Sequence, residues 1–350
     1  MPTAPAPSPS NGLSAFSQQL LVAVMGLISL VFVIHLLRDF AVVLKPLCVA
    51  VFLAYLVIPA HLWLVRRGIS RPLAAIALIS VVIGLFVGLG LLLYANTETL
   101  VMKWPVYEQK WQSMTKDLVD ALPKTFRDSL NLHLTDTQTI SLELQNFLKS
   151  FVSFFTALAV VIVYLIFLLA ERSTVPHRLV KAFGEERAVE ISNVMATISR
   201  AITQYIALKA FVSFLGGVGT TLILAIFGVD FALTWGTLAF VLNFIPYLGS
   251  ILATILPVLL ALVQLDSIWS PLVIFVLLIG MQQLLGTFIE PRMQGTTLGV
   301  SPLLIILSLA FWGVVWGVVG MLLAVPLLMV VKIVFENIPA TRPVADLMGK

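Results

Sequence analysis

The chain has 350 residues, of which 60% are hydrophobic and only 11% charged, with a mean hydropathy of +1.06. A soluble domain carries roughly 25% charged residues, so a water-soluble fold is excluded, and the long apolar runs exclude a β-barrel, which would alternate in short segments. The formal net charge of +4 is too small to argue for nucleic acid, and the single cysteine, Cys48, excludes an intrachain disulfide.

Residues 1–19, "MPTAPAPSPSNGLSAFSQQ", hold no charged side chain and are rich in Pro, Ser and Ala. They predict a disordered tail before a retained first span, because no basic segment precedes the apolar run and no clear cleavage site follows it. Residues 20–95 carry three predicted spans, at 20–37, 40–65 and 72–95, the second long enough to tilt or bend at Pro46 and Pro59. Residues 96–149 are polar and read as an extracytoplasmic amphipathic region. Trp104, Tyr107, Trp111, Met114, Leu118 and Leu122 recur there at three- and four-residue steps, as on one helix face. A fourth span is predicted at 150–170. Residues 171–204 form a cytoplasmic helical region, with Val180, Phe183, Ile191, Val194, Ile198 and Ile202 roughly on one face.

The rest reads as two units, 205–263 and 264–338, followed by a tail at 339–350. Each unit is a span followed by an apolar run broken near its middle: 205–227 then 231–263, and 271–289 then 302–334. At an offset of 71 residues the runs share nine identities over the 26 positions 228–253, including Gly228/Gly299, Phe240/Phe311 and Gly249/Gly320. The first break is "NFIPYLG", the second "WGVVWGVVG". Some 33 residues are too many for one ordinary span and too few for two full spans with a turn. Re-entrant hairpins fit, and kinked full spans are the alternative, since Pro is tolerated in membrane helices.

Arg66, Arg67 and Arg71 place the loop between spans two and three in the cytoplasm. Both termini are then cytoplasmic, residues 96–149 lie outside, and the two hairpins enter from opposite faces. The predicted fold is an all-α polytopic membrane protein with about six full spans and two re-entrant or broken hairpins in an inverted repeat, eight membrane segments in all. In transporters, interrupted segments at matching positions in two halves point to a substrate site near the midplane.

The runs "LKPLCVAVFLAYLVIP", "LNFIPYLGSILA", "IEPRMQGTTLG" and "FWGVVWGVVGMLLAVPLLMVVKIVFE" resemble the autoinducer-2 exporter family of bacterial inner-membrane proteins over most of residues 41–336. The resemblance implies a multi-span transporter, often counted as eight helices, and a homo-oligomer. Members are linked to autoinducer-2 export, and others are described as sodium or lithium/proton antiporters. Relatives often carry Asn three residues before the Glu of the Glu-Pro pair. This chain has Thr287 there, which leaves its selectivity open.

Asn243 leads the substrate-binding candidates, because a buried amide must find partners or cost about 1–3 kcal/mol. Pro246 frees nearby carbonyls, Tyr247 adjoins it, and Gly249 lets the backbone turn or pack closely. The structural alternative is an Asn that satisfies its own helix break or acts as packing glue. Gln282 and Gln283, inside the next span, face the same choice. Glu290, Asp230 and Lys209 are ion-coupling candidates as charges in or beside apolar segments, each with interfacial pairing or snorkelling as the alternative. Gly317, Gly320 and Pro326 are the flexibility candidates of the second hairpin. The four histidines, 35, 61, 133 and 177, are scattered without ligand spacing, and no GxxxxGK[ST] loop occurs. No enzyme activity, metal or cofactor is therefore expected. The expected partners are a small polar solute, Na+ or H+, and the lipid bilayer.

Overall fold

The computed structural model describes residues 11–120, 157–171, 174–294 and 299–349, and every regular element among them is helical. In chain order these are α1 (Asn11–Asp39), α2 (Ala41–Arg66), α3 (Arg71–Asp120), α4 (Ala157–Glu171), α5 (Val175–Phe183) and α6 (Glu185–Ile226). Then follow α7 (Ala232–Leu242), α8 (Leu248–Gln264), α9 (Trp269–Gln283), a π-helical stretch (Leu284–Ile289), α10 (Glu290–Gln294), α11 (Pro302–Trp316), α12 (Val318–Asn337) and α13 (Arg342–Met348). Six segments are long and apolar enough to cross a membrane: Leu20–Asp39, Ala41–Arg66, Arg71–Leu92, Glu185–Ile226, Trp269–Met293 and Val318–Asn337. The pair α4 and α5, bent by 66°, qualifies as a seventh.

Two boundaries expected from the sequence fall inside continuous helices. The apolar part of the third span, Arg71–Leu92, ends close to the expected residue 95, but the helix does not stop with it: α3 runs unbroken to Asp120, accommodating Pro105. A polar residue need not stop a helix: Asn96 donates its side-chain amide to the Leu92 carbonyl one turn back (2.9 Å). Likewise the cytoplasmic region and the fifth span are one 42-residue helix, α6, because no Pro interrupts 185–226 and its glycines are helix-compatible. Of the stripe read in 96–149, Tyr107 is buried while Trp111 and Met114 are exposed; Leu118 and Leu122 lie outside the described side chains. The tail at 1–10, His133 and the first part of the fourth span also lie outside the described residues.

Both broken runs fold back on themselves. In hairpin one, α7 and α8 meet at Asn243–Tyr247 and come together again at their far ends. There the Gln264 side chain donates to the Gly228 carbonyl (2.9 Å) and accepts from the Asp230 N–H (2.7 Å). In hairpin two, α11 and α12 join through Gly317 alone (φ 68°), and the Ser308 hydroxyl donates across to the Ala324 carbonyl (3.0 Å). The 71-residue offset recurs in the backbone. Gly228 and Gly299, which precede the two hairpins, both have positive φ. Gly249 and Gly320 each sit where a Cβ would collide with a carbonyl of the first arm, Leu242 and Trp312 respectively. Close approach of the two arms requires a glycine there.

The hairpins open on opposite sides. Residues 67–70 turn the chain between α2 and α3, so the start of α2 and the distal part of α3 lie on one side of the bundle. Lys103, on distal α3, pairs with Asp230 at the base of hairpin one (2.6 Å). The tip of hairpin two reaches the same side, since Trp316 donates its indole N–H to the Leu37 carbonyl (2.9 Å) and Arg38 donates to the Val314 carbonyl (3.0 Å). Hairpin two therefore opens on the side of the α2–α3 turn and traverses the bundle. Its arms of 15 and 20 residues span about 22 and 30 Å at 1.5 Å per residue. A one-residue turn leaves nearly the whole run for its arms. Hairpin one, with arms of 11 and 17 residues (about 16 and 25 Å), stops part-way. Its tip residue Ile245 packs on Leu309 and Ala324, midway along hairpin two, rather than on the other tip.

A single axis organises the core. The C-terminal part of α6 packs Leu224 with Val229, Val258, Ala261, Ile274 and Leu278 at the base of hairpin one. Nearer the start of α6, Ile202, Tyr205 and Ile206 pack with Val325 and Met329 of hairpin two.

Candidate functional site

Between the tip of hairpin one, the middle of α6 and the α9–α10 segment lies a cavity of about 620 Å³. Local chemistry explains why the chain opens there. Pro246 has no N–H to donate, and Tyr247 takes a positive φ of 62°, which a non-glycine residue adopts only under constraint. The turn closes with Leu248 N–H donating to the Pro246 carbonyl (2.7 Å) and Gly249 N–H to the Ile245 carbonyl (3.0 Å). On the opposite wall, the π-helical stretch at Leu284–Ile289 wedges extra backbone into the helix. Such bulges occur frequently at functional sites. This one precedes Glu290, which lines the cavity.

Asn243 is only 8% exposed. Its Oδ1 accepts a long hydrogen bond from Gln282 Nε2 (3.4 Å), and its Nδ2 has no partner. The fit is tight, since a Cβ on Gly216 of α6 would collide with that nitrogen. The Tyr205 hydroxyl, also lining the cavity, is buried and unpartnered as well. An unsatisfied buried polar group costs about 1–3 kcal/mol, so two such groups beside one cavity are a standing demand for a polar occupant.

Lys209 and Glu290 meet at 2.7 Å, with side chains 8% and 18% exposed. The lysine is thus buried and ion-paired rather than snorkelled. Removing one member of such a pair strands the other charge, at a typical cost of about 3–5 kcal/mol. The Thr287 hydroxyl donates to Gln283 Oε1 (3.0 Å), so the position where relatives often have Asn also faces the cavity.

Seven of the sequence candidates line this cavity: Asn243, Pro246, Tyr247, Gln282, Gln283, Lys209 and Glu290. Five do not. Gly249 is buried behind the tip as a packing contact. Gly317 is the turn of hairpin two, whereas Gly320 and Pro326 are buried within α12. Asp230 lies at the base of hairpin one, held by Lys103 and by a hydrogen bond from the Tyr107 hydroxyl. Partial burial pushes its carboxyl up, but the Lys103 and Tyr107 hydrogen bonds and the lysine's charge outweigh this and hold it below the usual carboxylate range. Tyr205 was not singled out from the sequence. The signal existed: Tyr205, Lys209 and Ser213 stand four residues apart, one polar line in the otherwise apolar stretch 205–219.

A bundle of apolar helices around a largely apolar cavity that holds a few polar side chains, with a broken hairpin at its wall, fits a multi-pass membrane transporter. Residues 20–340 match the AI-2E family transporter signature, and the chain belongs to that family. It is 30% identical over 312 residues to a Borreliella burgdorferi protein named "Putative transport protein" (88% of this chain, 84% of that one). It is 29% identical over 334 residues to Escherichia coli "Putative transport protein YhhT" (92% and 93%). Against the E. coli "AI-2 transport protein TqsA" it is 31% identical over 326 residues (91% and 93%).

Proposed function

We propose that this protein exports a small polar solute, autoinducer-2 or a similar metabolite, across the bacterial inner membrane by alternating access. The observation that carries the reading is the cavity with two unpartnered buried groups, Asn243 Nδ2 and the Tyr205 hydroxyl, at the tip of a hairpin that stops part-way through the helical bundle. Solute oxygens would accept from both, while Gln282 and Gln283 supply further donors and acceptors. The transport name of the E. coli relative TqsA supports the cargo class. The two hairpins act as an inverted repeat, with hairpin one as the gate and hairpin two as the fixed wall. Arg66, Arg67 and Arg71 favour cytoplasmic termini, and the unit is a homo-oligomer.

The Lys209–Glu290 pair favours a second reading, Na+(Li+)/H+ antiport, in which a cation and a proton compete for the carboxylate. One experiment separates the two. Everted vesicles are given external solute, and its uptake is followed with and without imposed sodium and pH gradients. Cargo flux that Asn243→Ala lowers at equal expression supports export. Sodium-dependent proton movement without cargo favours antiport. No flux of either kind leaves a membrane scaffold without cargo.

A further inference from the structure

The distal part of α3 lies across the base of hairpin one and grips it at successive points on one helical face. Asn96 Nδ2 donates to the Thr234 hydroxyl at the start of α7. One further stretch along, Lys103 Nζ (2.6 Å) and the Tyr107 hydroxyl both donate to Asp230. Lys110 Nζ then donates to the Gln264 carbonyl (3.1 Å) and to Asp266 Oδ1 (2.8 Å), at the end of α8. Positions 96, 103, 107 and 110 are separated by seven, four and three residues, the spacing of a single helix stripe. Both ends of the hairpin are therefore held by one continuous helix, and the Gln264 bridge ties those ends to each other.

The contrast with the hairpin's contact on α6 is informative. Against α6, the first arm rests on Gly217 and Gly236, whose backbones approach so closely that no Cβ fits. That surface fixes distance through close van der Waals packing. The α3 contacts are directional and charged, and they act at the end of a lever whose other end carries Asn243.

We infer that the α3 extension is a strap that holds hairpin one in its cavity-covering position, with Lys103, Tyr107 and Lys110 as positioning residues for Asn243. When the strap holds, the tip stays against α6 and hairpin two. When the strap lets go, the hairpin is free to slide on the glycine surface, and the cavity opens towards the side on which distal α3 lies.

The test is hydrogen–deuterium exchange on the full chain in lipid nanodiscs, which reads hairpin motion without cargo, so its failure is separate from failure of the transport reading. Lys103→Gln and Asp230→Asn should each speed exchange at residues 243–250 by about fivefold, the ratio expected when partly exposed ion pairs are lost. Tyr107→Phe, a mild change that keeps the fold, should shift the same residues less. The charge-reversed double variant Lys103→Asp with Asp230→Lys should return the tip to within about twofold of the parent, as a reformed ion pair requires. A change confined to 228–232 and 264–268, no change at all, or a reversed pair no better than the single variants would each overturn the strap.

Discussion

The Lys209–Glu290 pair permits the most direct test of how the cavity wall is built. Replacing Lys209 with Met leaves a carboxylate whose side chain is 18% exposed, and replacing Glu290 with Gln leaves an ammonium that is 8% exposed. Stranding a buried charge costs about 3–5 kcal/mol. Because the cavity admits some water to Glu290, we expect about 3 kcal/mol for each single change, or roughly a hundredfold in the unfolding equilibrium. If the two residues acted independently, the double variant would lose about 6 kcal/mol. Acting as a pair, they should be replaced together at a cost no greater than that of the worse single change, because no charge is left behind. SDS-titrated unfolding in mixed micelles, followed by tryptophan fluorescence, measures all four proteins. Single losses below about 1 kcal/mol, or strict additivity in the double variant, would refute a closed buried pair.

Gly249→Ala and Gly320→Ala should each destabilise by about 1–3 kcal/mol through forced overpacking, whereas Gly280→Ala, with nothing near its would-be Cβ, should be neutral in the same titration. Tyr205→Phe removes an unpartnered hydroxyl, so unfolding should show no loss or a gain of up to about 1 kcal/mol while solute uptake into vesicles falls. Asn243→Ala should lower flux at equal expression, and unchanged flux would reduce this residue to a helix-break role. The Asp230 carboxyl is held low when folded, so its contribution to the base of hairpin one is present above the ordinary carboxylate range and lost as pH falls through the depressed value. Exchange at 228–232 should be flat from pH 8 to about 5 after correction for intrinsic rates, and should rise only below about 4. The Tyr107 hydroxyl is raised by burial and by Asp230, so it stays protonated at pH 10, which tyrosinate absorbance of the wild type against Tyr107→Phe can check.

Hairpin one was legible because its break is chemical. Pro246 lacks an N–H and Gly249 lacks a Cβ, and both facts are visible in one-dimensional sequence. Hairpin two was legible as a break but not in its depth. Gly317 turns the chain in one residue, and nothing in "WGVVWGVVG" says whether the turn happens at mid-depth or at the surface. That is decided by Trp316 and Arg38, partners 279 and 276 residues from their acceptor or donor positions in the chain. The length of α3 was hidden for a similar reason. Polar residues after 95 look like an exit from a helix, yet Asn96, Lys103 and Lys110 find acceptors on hairpin one and the helix continues. At the cavity, the charged and amide residues stood out against an apolar background, whereas Tyr205 passed as one more aromatic ring because its importance lies in a hydroxyl without a partner.

The 50-residue α3 has a consequence for the lipid around it. At about 1.5 Å per residue, Lys103 stands roughly 48 Å from the start of the helix. A change in tilt of about 5° about that start moves Lys103 sideways by about 4 Å, more than the length of its bond to Asp230. Arg71–Leu92 is the part of this helix long and apolar enough to cross a membrane, and an apolar stretch left too long by a thinner bilayer tilts further. Bilayer thickness thus acts on the apolar first half of α3 and is read out, magnified, at the carboxylate that its distal part holds.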